Sequence, residues 1–206
     1  MFSPIELLWA LMGLIVTIGA TWLEVFVTNA PWAWSDIGIQ FYSLGVSFQL
    51  GAVLLTSCLG GPNAGTLAQV GYLSLGLLLF QVFGLQVFTQ GGGLTYLREP
   101  GFGYLLGFIP AAWVCGFLAF QWKPRLENLT LSCLGGLVIL HLVGLLYLAG
   151  VWLVQAIGNA AVGFPEAVAG FGEMMLDYTV FQLPGQLMVA CTVGLVAYLM
   201  RQVMFY

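Results

Sequence analysis

The residues that could do chemistry are few, and most lie between apolar runs. Gly91-Gly92-Gly93 is a run of three glycines. Glycine tolerates positive φ and lets backbone N–H groups approach a ligand, but the same run also reads as a plain turn. Tyr96, Arg98 and Tyr104 follow closely, and Trp152 lies in a later apolar run. Such rings can wall the apolar part of a small molecule, or stand as a belt at a membrane interface. His141 is the single histidine and sits within Leu140-His141-Leu142. A lone imidazole makes no metal site, and it reads as a neutral group hydrogen-bonded between helices. Cys58, Cys115, Cys133 and Cys191 form no CxxC pair and read as small buried hydrophobes. The sequence holds no HExxH, no GxSxG and no paired carboxylates on one helix face. We therefore expect no catalytic residue, no metal and no cofactor. GxxxxGK[ST] is also missing, so any ATP-driven role must borrow its ATPase from a partner.

Composition says what must position these residues. Of 206 residues, 61% are hydrophobic and 6% charged. A soluble domain carries about 25% charged residues, so lipid is the natural solvent for this chain. The net charge of −4 includes no basic cluster, which excludes nucleic acid as a partner.

A spanning helix needs roughly 20 apolar residues. Six runs qualify, from about Ile5 to Val27, Ile37 to Leu59, Gly65 to Phe88, Gly101 to Phe120, Leu129 to Ala156 and Met174 to Met200. The expected fold is all-α, a single transmembrane domain of six helices over residues 1–206. The first run lacks a small-residue cleavage site and reads as a span, not a signal peptide. All charged residues fall at or near the ends of these runs, as the cost of a charge at the bilayer centre requires. No acid at midplane depth supports a self-contained pump.

Basic residues mark the cytoplasmic side. Lys123, Arg125 and Arg201 then share one side with both termini, and Arg98 is the exception. The expected outer loops are about Thr28 to Asp36, Thr89 to Pro100 and Gly158 to Glu173. They hold Trp32, Trp34, the glycine run, Tyr96, Arg98 and Asn159, so a ligand site is expected at the outer face. Gly13, Thr17 and Thr21 form a small-residue stripe, which reads as internal packing or as a docking face for another membrane subunit.

Several motifs occur in order. They are Gly61-Pro62-Asn63-Ala64-Gly65, Tyr72-Leu73-Ser74-Leu75-Gly76, then Gly84 to Gly93, then Pro100-Gly101-Phe102-Gly103-Tyr104-Leu105-Leu106-Gly107-Phe108, with Leu183-Pro184-Gly185 far downstream. This series resembles the BioY family, the substrate-binding S components of energy-coupling-factor biotin transporters. The family pattern is close to GPxxG, YLxLG, GLPVFxxGGG, PxGGYLxGF and a last-helix PGDxxK. The resemblance implies a six-helix, non-enzymatic S component in the plasma membrane. It would take up biotin or a similar vitamin at the outer face, and a transmembrane coupling subunit with a pair of ATPases would drive release inward.

The chain also departs from the pattern. Gln186 and Val189 stand at the acid and base positions of PGDxxK, Gln86 replaces the GLPVF proline, and Tyr42 aligns with a helix-two glutamine. Biotin presents a ureido ring and a carboxylate, which ask for donors, acceptors and a cation or N–H groups. Gln186 could read the ureido group, and Asp177 and Gln182, one or more turns outward of it, could take over the lost polar role. Arg98 is the one basic residue expected outside, and Gly91, Gly92 and Gly93 could add N–H groups. Trp32, Trp34, Tyr96, Tyr104 and Trp152 could wall the apolar part. The losses in the last helix also fit a different ligand on the same fold, or a subunit with a structural or regulatory role.

Overall fold

The computed structural model describes residues 2–29, 31–89, 91–158 and 164–204. Helix α1 (Pro4–Thr21) starts in a capping box, where Glu6 N–H donates to Ser3 Oγ at 3.2 Å and Ser3 N–H donates to Glu6 Oε2 at 2.7 Å. The helix stops well short of Val27. Glu24-Val25-Phe26-Val27-Thr28 is rich in β-branched residues and forms strand β1 (Glu24–Thr28). After the short helix α2 (Trp34–Ile37), strand β2 (Phe41–Ser47) pairs antiparallel with β1. The protein is therefore mostly helical and not all-α, and the first half of the second expected span is largely a strand.

Helix α3 (Gln49–Phe83) folds back on itself. Gly61 has φ 87° and ψ 177°, a conformation that only glycine takes readily. Residues eight apart in a straight helix are about 12 Å apart. A Cβ at Gly65 would instead stand 3.1 Å from the Cα of Ser57. The limbs 49–60 and 62–83 are thus antiparallel neighbours, with Pro62 opening the second limb. Gly84, at φ 67°, ends it.

Helices α4 (Phe102–Gln121) and α5 (Leu126–Gly158) follow. Helix α6 (Phe164–Met175) then runs through a π-helical turn at Leu176–Val180 towards α7 (Leu183–Val203). Among the described residues, five helices are long and apolar enough to cross a membrane: Pro4–Thr21, Gln49–Phe83, Phe102–Gln121, Leu126–Val154 and Gly170–Val203. The difference from six runs lies in α3, which merges the second and third of them across Gly61.

Close packing explains many of the glycines. A Cβ at Gly107 would stand 2.9 Å from Leu140 O, and one at Gly116 2.6 Å from Pro62 N. The small-residue stripe of α1 also packs inward. Gly13, Thr17 and Thr21 are buried against α3, where Gln69 Nε2 donates to Thr17 Oγ1 at 3.2 Å and Thr21 shares a 3.1 Å hydrogen bond with Tyr72. This stripe is internal packing and is not a docking face. Arg201 is buried at the opposite end from the hairpin. Its guanidinium donates to Cys58 O and to Ala119 O at 2.8 Å, and sits 4.2 Å from the centre of the Phe120 ring. It caps the last turns of the first α3 limb and of α4 together.

Candidate functional site

A cavity of about 230 Å³ opens at the end of the bundle that carries the β-hairpin. Its volume lies just below the roughly 300 to 1,000 Å³ of most small-molecule sites. Strand β2 supplies Gly45, Val46 and Ser47, and the first turn of α3 supplies Gln49 and Leu50. Thr89 and Tyr96 come from the loop after α3, and Tyr104, Leu105 and Phe108 from the first turns of α4. Tyr178, Gln182 and Gln186 complete the wall, spaced four residues apart on one helical face. None of the described lining residues is charged. The cavity offers amide, hydroxyl and phenol groups on an apolar, aromatic wall.

The sequence motifs hold this wall in place. Phe88 folds back onto Gly76, where any Cβ would collide with its ring, and lies 5.3 Å from the Tyr72 ring. Tyr96 then stacks on Phe88 at 5.3 Å and meets Phe102 edge-on at 6.0 Å. Burial of the Tyr96 phenol is the main cause that pushes its pKa up to about 12, with Tyr178 and Glu99 adding to it. It is a neutral hydrogen-bonding group at ordinary pH. Gly185 in the Leu183-Pro184-Gly185 segment leaves room for Val46 and Leu44, so β2 can lie against α7.

The polar groups are oriented by one another. His141 Nε2 and Gln186 Oε1 are 2.7 Å apart, and Gln186 Nε2 donates to Gln182 Oε1 at 3.0 Å. The Tyr104 hydroxyl shares a 2.5 Å hydrogen bond with Thr179, and its ring lies 6.1 Å from Tyr178. Gln49 Nε2 is buried and, among the described residues, makes no hydrogen bond beyond a loose approach to the Tyr72 hydroxyl. A buried donor without a partner costs about 1–3 kcal/mol, so it is the group with most to gain from a ligand.

Of the residues singled out in the sequence, Tyr96, Tyr104 and Gln186 meet at this cavity, and Gln182 joins them. Gly91, Gly92 and Gly93 do not line it. Gly91 (φ 127°) bridges to Phe88, and Gly92 and Gly93 pack against Phe80. Arg98 is exposed beside a separate, larger hollow lined by Leu97, Leu146, Tyr147 and Val154. Tyr147 closes that edge by donating its hydroxyl to Leu97 O. Trp152 packs 5.5 Å from Phe171 and is not in the lining. Asp177 and Trp32 are exposed, and Trp34 donates to Asn29 O. Asn159 lies outside the described residues. Sequence reasoning missed Gln49. Tyr42 is exposed and bonded to Gln40, whereas Gln49, at the start of α3, reaches the cavity. Its signal was a glutamine opening an otherwise apolar run.

The cavity walls are built from the motif-bearing segments, and the sequence pattern described as the BioY family matches residues 24–205. The chain belongs to the BioY family. Among BioY relatives, the probable biotin transporter BioY of Lysinibacillus sphaericus is 39% identical over 111 residues, covering 52% of this chain. The match spans 54% of that relative, about half its length. The biotin transporter BioY of Rhodobacter capsulatus is 30% identical over 204 residues, covering 94% of this chain and 90% of its own. The fold is similar to the crystal structure of the S-component for biotin from an ECF-type ABC transporter, with a TM-score of 0.62. That likeness covers 96% of this chain and 90% of the other at 16% identity.

Proposed function

We propose that this chain is the membrane-embedded substrate-binding component of a vitamin uptake system and that biotin is its ligand. The observation that carries this reading is the cavity under the hairpin, with its neutral hydrogen-bonding groups and aromatic wall. The Gln186 and Gln182 amides and the unpartnered Gln49 Nε2 match the donors and acceptors of a ureido ring. Tyr96, Tyr104 and Tyr178 enclose the apolar part. The protein acts without catalysis of its own, and a transmembrane coupling subunit with a pair of ATPases supplies the work of release.

The chain crosses the plasma membrane six times in this account, the two limbs of α3 counting as separate passes. Partners across the bundle support that count. Gly13 faces Thr56 in the first limb and Leu14 faces Gly71 in the second, so α1 has one limb antiparallel and one parallel to it. Lys123, Arg125 and Arg201 put that end, and both termini, in the cytoplasm. The cavity then opens outward.

A second reading rests on the uncharged lining together with Gln186 and Val189 in place of an acid and a base. It keeps the fold and takes a ligand without a free carboxylate. Retention of labelled biotin by the purified protein, competed with unlabelled biotin or its methyl ester, tests both. Stronger competition by biotin supports the first reading, and stronger competition by the ester supports the second. No retention at micromolar biotin by folded protein ends the biotin assignment.

A further inference from the structure

Cys58, Cys115 and Cys133 come from three different helices and converge in the buried core, each with no exposed surface. Cys58 Sγ lies 3.6 Å from Cys115 Sγ and 3.6 Å from Cys133 Sγ, and all three sulfurs are within 4.8 Å of one another. Close helix contacts force this convergence. A Cβ at Gly136 of α5 would stand 3.0 Å from Cys115 Cβ and 2.8 Å from Leu54 Cδ2. The site is apart from the ligand cavity, since Cys58 lies two turns beyond Leu50 along the first limb of α3.

A metal–sulfur bond is about 2.3 Å long, so three sulfurs around one ion in a plane stand about 4.0 Å apart. Two of the observed spacings are 3.6 Å and all three lie within 4.8 Å, close to that value. The cluster has three members among the described residues. Zinc sites of the structural kind take four ligands. Three soft sulfurs select a monovalent soft ion, and Cu(I) is the one that thiolate ligands favour. Three thiolates around Cu(I) carry a net charge of −2, with three protons released to the medium. The Arg201 guanidinium, donating to Cys58 O at 2.9 Å through Nε, offsets one unit of it. In a low-dielectric interior an uncompensated charge is costly.

We propose that Cys58, Cys115 and Cys133 form a trigonal three-sulfur site for one Cu(I) ion, which ties the first limb of α3 to α4 and α5. The site is independent of which vitamin the cavity takes. Anaerobic titration of the full-length protein in detergent with Cu(I), against a chromophoric Cu(I) chelator, tests it. The expected result is one tightly held Cu(I) per chain and a rise in melting temperature, because an ion bound to the fold alone stabilises it. Cys58→Ser, Cys115→Ser and Cys133→Ser each abolish tight binding, whereas Cys191→Ser, at an exposed position, leaves it unchanged. Should a core substitution prevent folding, X-ray absorption on the copper-loaded wild type decides. Three sulfur neighbours at about 2.3 Å support the site. Fewer than three sulfurs, no binding against the chelator, or binding lost on Cys191→Ser overturns it.

Discussion

His141 on α5 and Gln186 on α7 share a 2.7 Å hydrogen bond beside the cavity. Because the amide oxygen accepts, the imidazole donates from Nε2, and the Gln186 N–H groups turn towards Gln182 and the cavity. His141→Phe leaves a buried amide oxygen unpaired, a cost of about 1–3 kcal/mol. We expect ligand affinity to fall by roughly 5- to 100-fold at 1.4 kcal/mol per decade. Titration calorimetry on wild type and variant measures it, and an unchanged affinity removes Gln186 from the binding account.

Gly61 predicts a conformational effect with little steric part. An added Cβ meets only the Phe120 ring, at 3.6 Å, yet the residue must hold φ 87° and ψ 177°. Gly61→Ala should cost about 1–3 kcal/mol, read as a lower melting temperature in detergent. Gly150→Ala, inside α5 with nothing within 4 Å of the added Cβ, is the matched control and should not lower melting.

Val189 is buried against Gly51, whose Cβ would lie 3.1 Å from Val189 Cγ1. Val189→Lys places a charge there without a partner and should destabilise the fold by several kcal/mol. Gln186→Asp made together with Val189→Lys supplies the partner. The double variant should melt higher than Val189→Lys alone, and equal melting of the two shows that the side chains do not pair.

Tyr96 gives a pH dependence. Its phenol is held protonated up to about 12, whereas an unfolded tyrosine ionises near 10. The fold is therefore favoured by this group below pH ~10, and that contribution is lost as the pH rises from 10 towards 12. The melting temperature of the wild type should drop more steeply between pH 9 and 11.5 than that of Tyr96→Phe. Parallel curves would assign the alkaline loss to other groups.

Much of this molecule was legible because apolar run length and charge placement respond to the same solvent. The end that carries the β-hairpin was less so. Glu24 to Thr28 and Phe41 to Ser47 are as apolar as a span, and hydropathy alone cannot tell a strand from half a helix. The reversal at Gly61 was written as Gly60-Gly61-Pro62, but a stop signal between two apolar stretches does not give the angle between them. Tyr96, Tyr104 and Gln186, expected as ligand contacts, line one cavity together. Gly91, Gly92 and Gly93 looked like a ligand cradle, and they are the way a tight loop packs on Phe80. Arg98 was chosen for its charge, which says nothing of distance from the cavity. The three cysteines were each read alone, and only the helix crossings at Gly136 and Gly116 bring their sulfurs together.

The claim that matters most is that the cavity under the hairpin holds biotin through neutral groups. Calorimetric titration of biotin into wild type and Gln49→Leu, both verified as folded by thermal melting, tests it directly. The account predicts one biotin per wild-type chain and an affinity at least fivefold weaker in Gln49→Leu, from a lost buried hydrogen bond of about 1–3 kcal/mol. Equal affinity in the two proteins, or no heat of binding in the wild type, would contradict it.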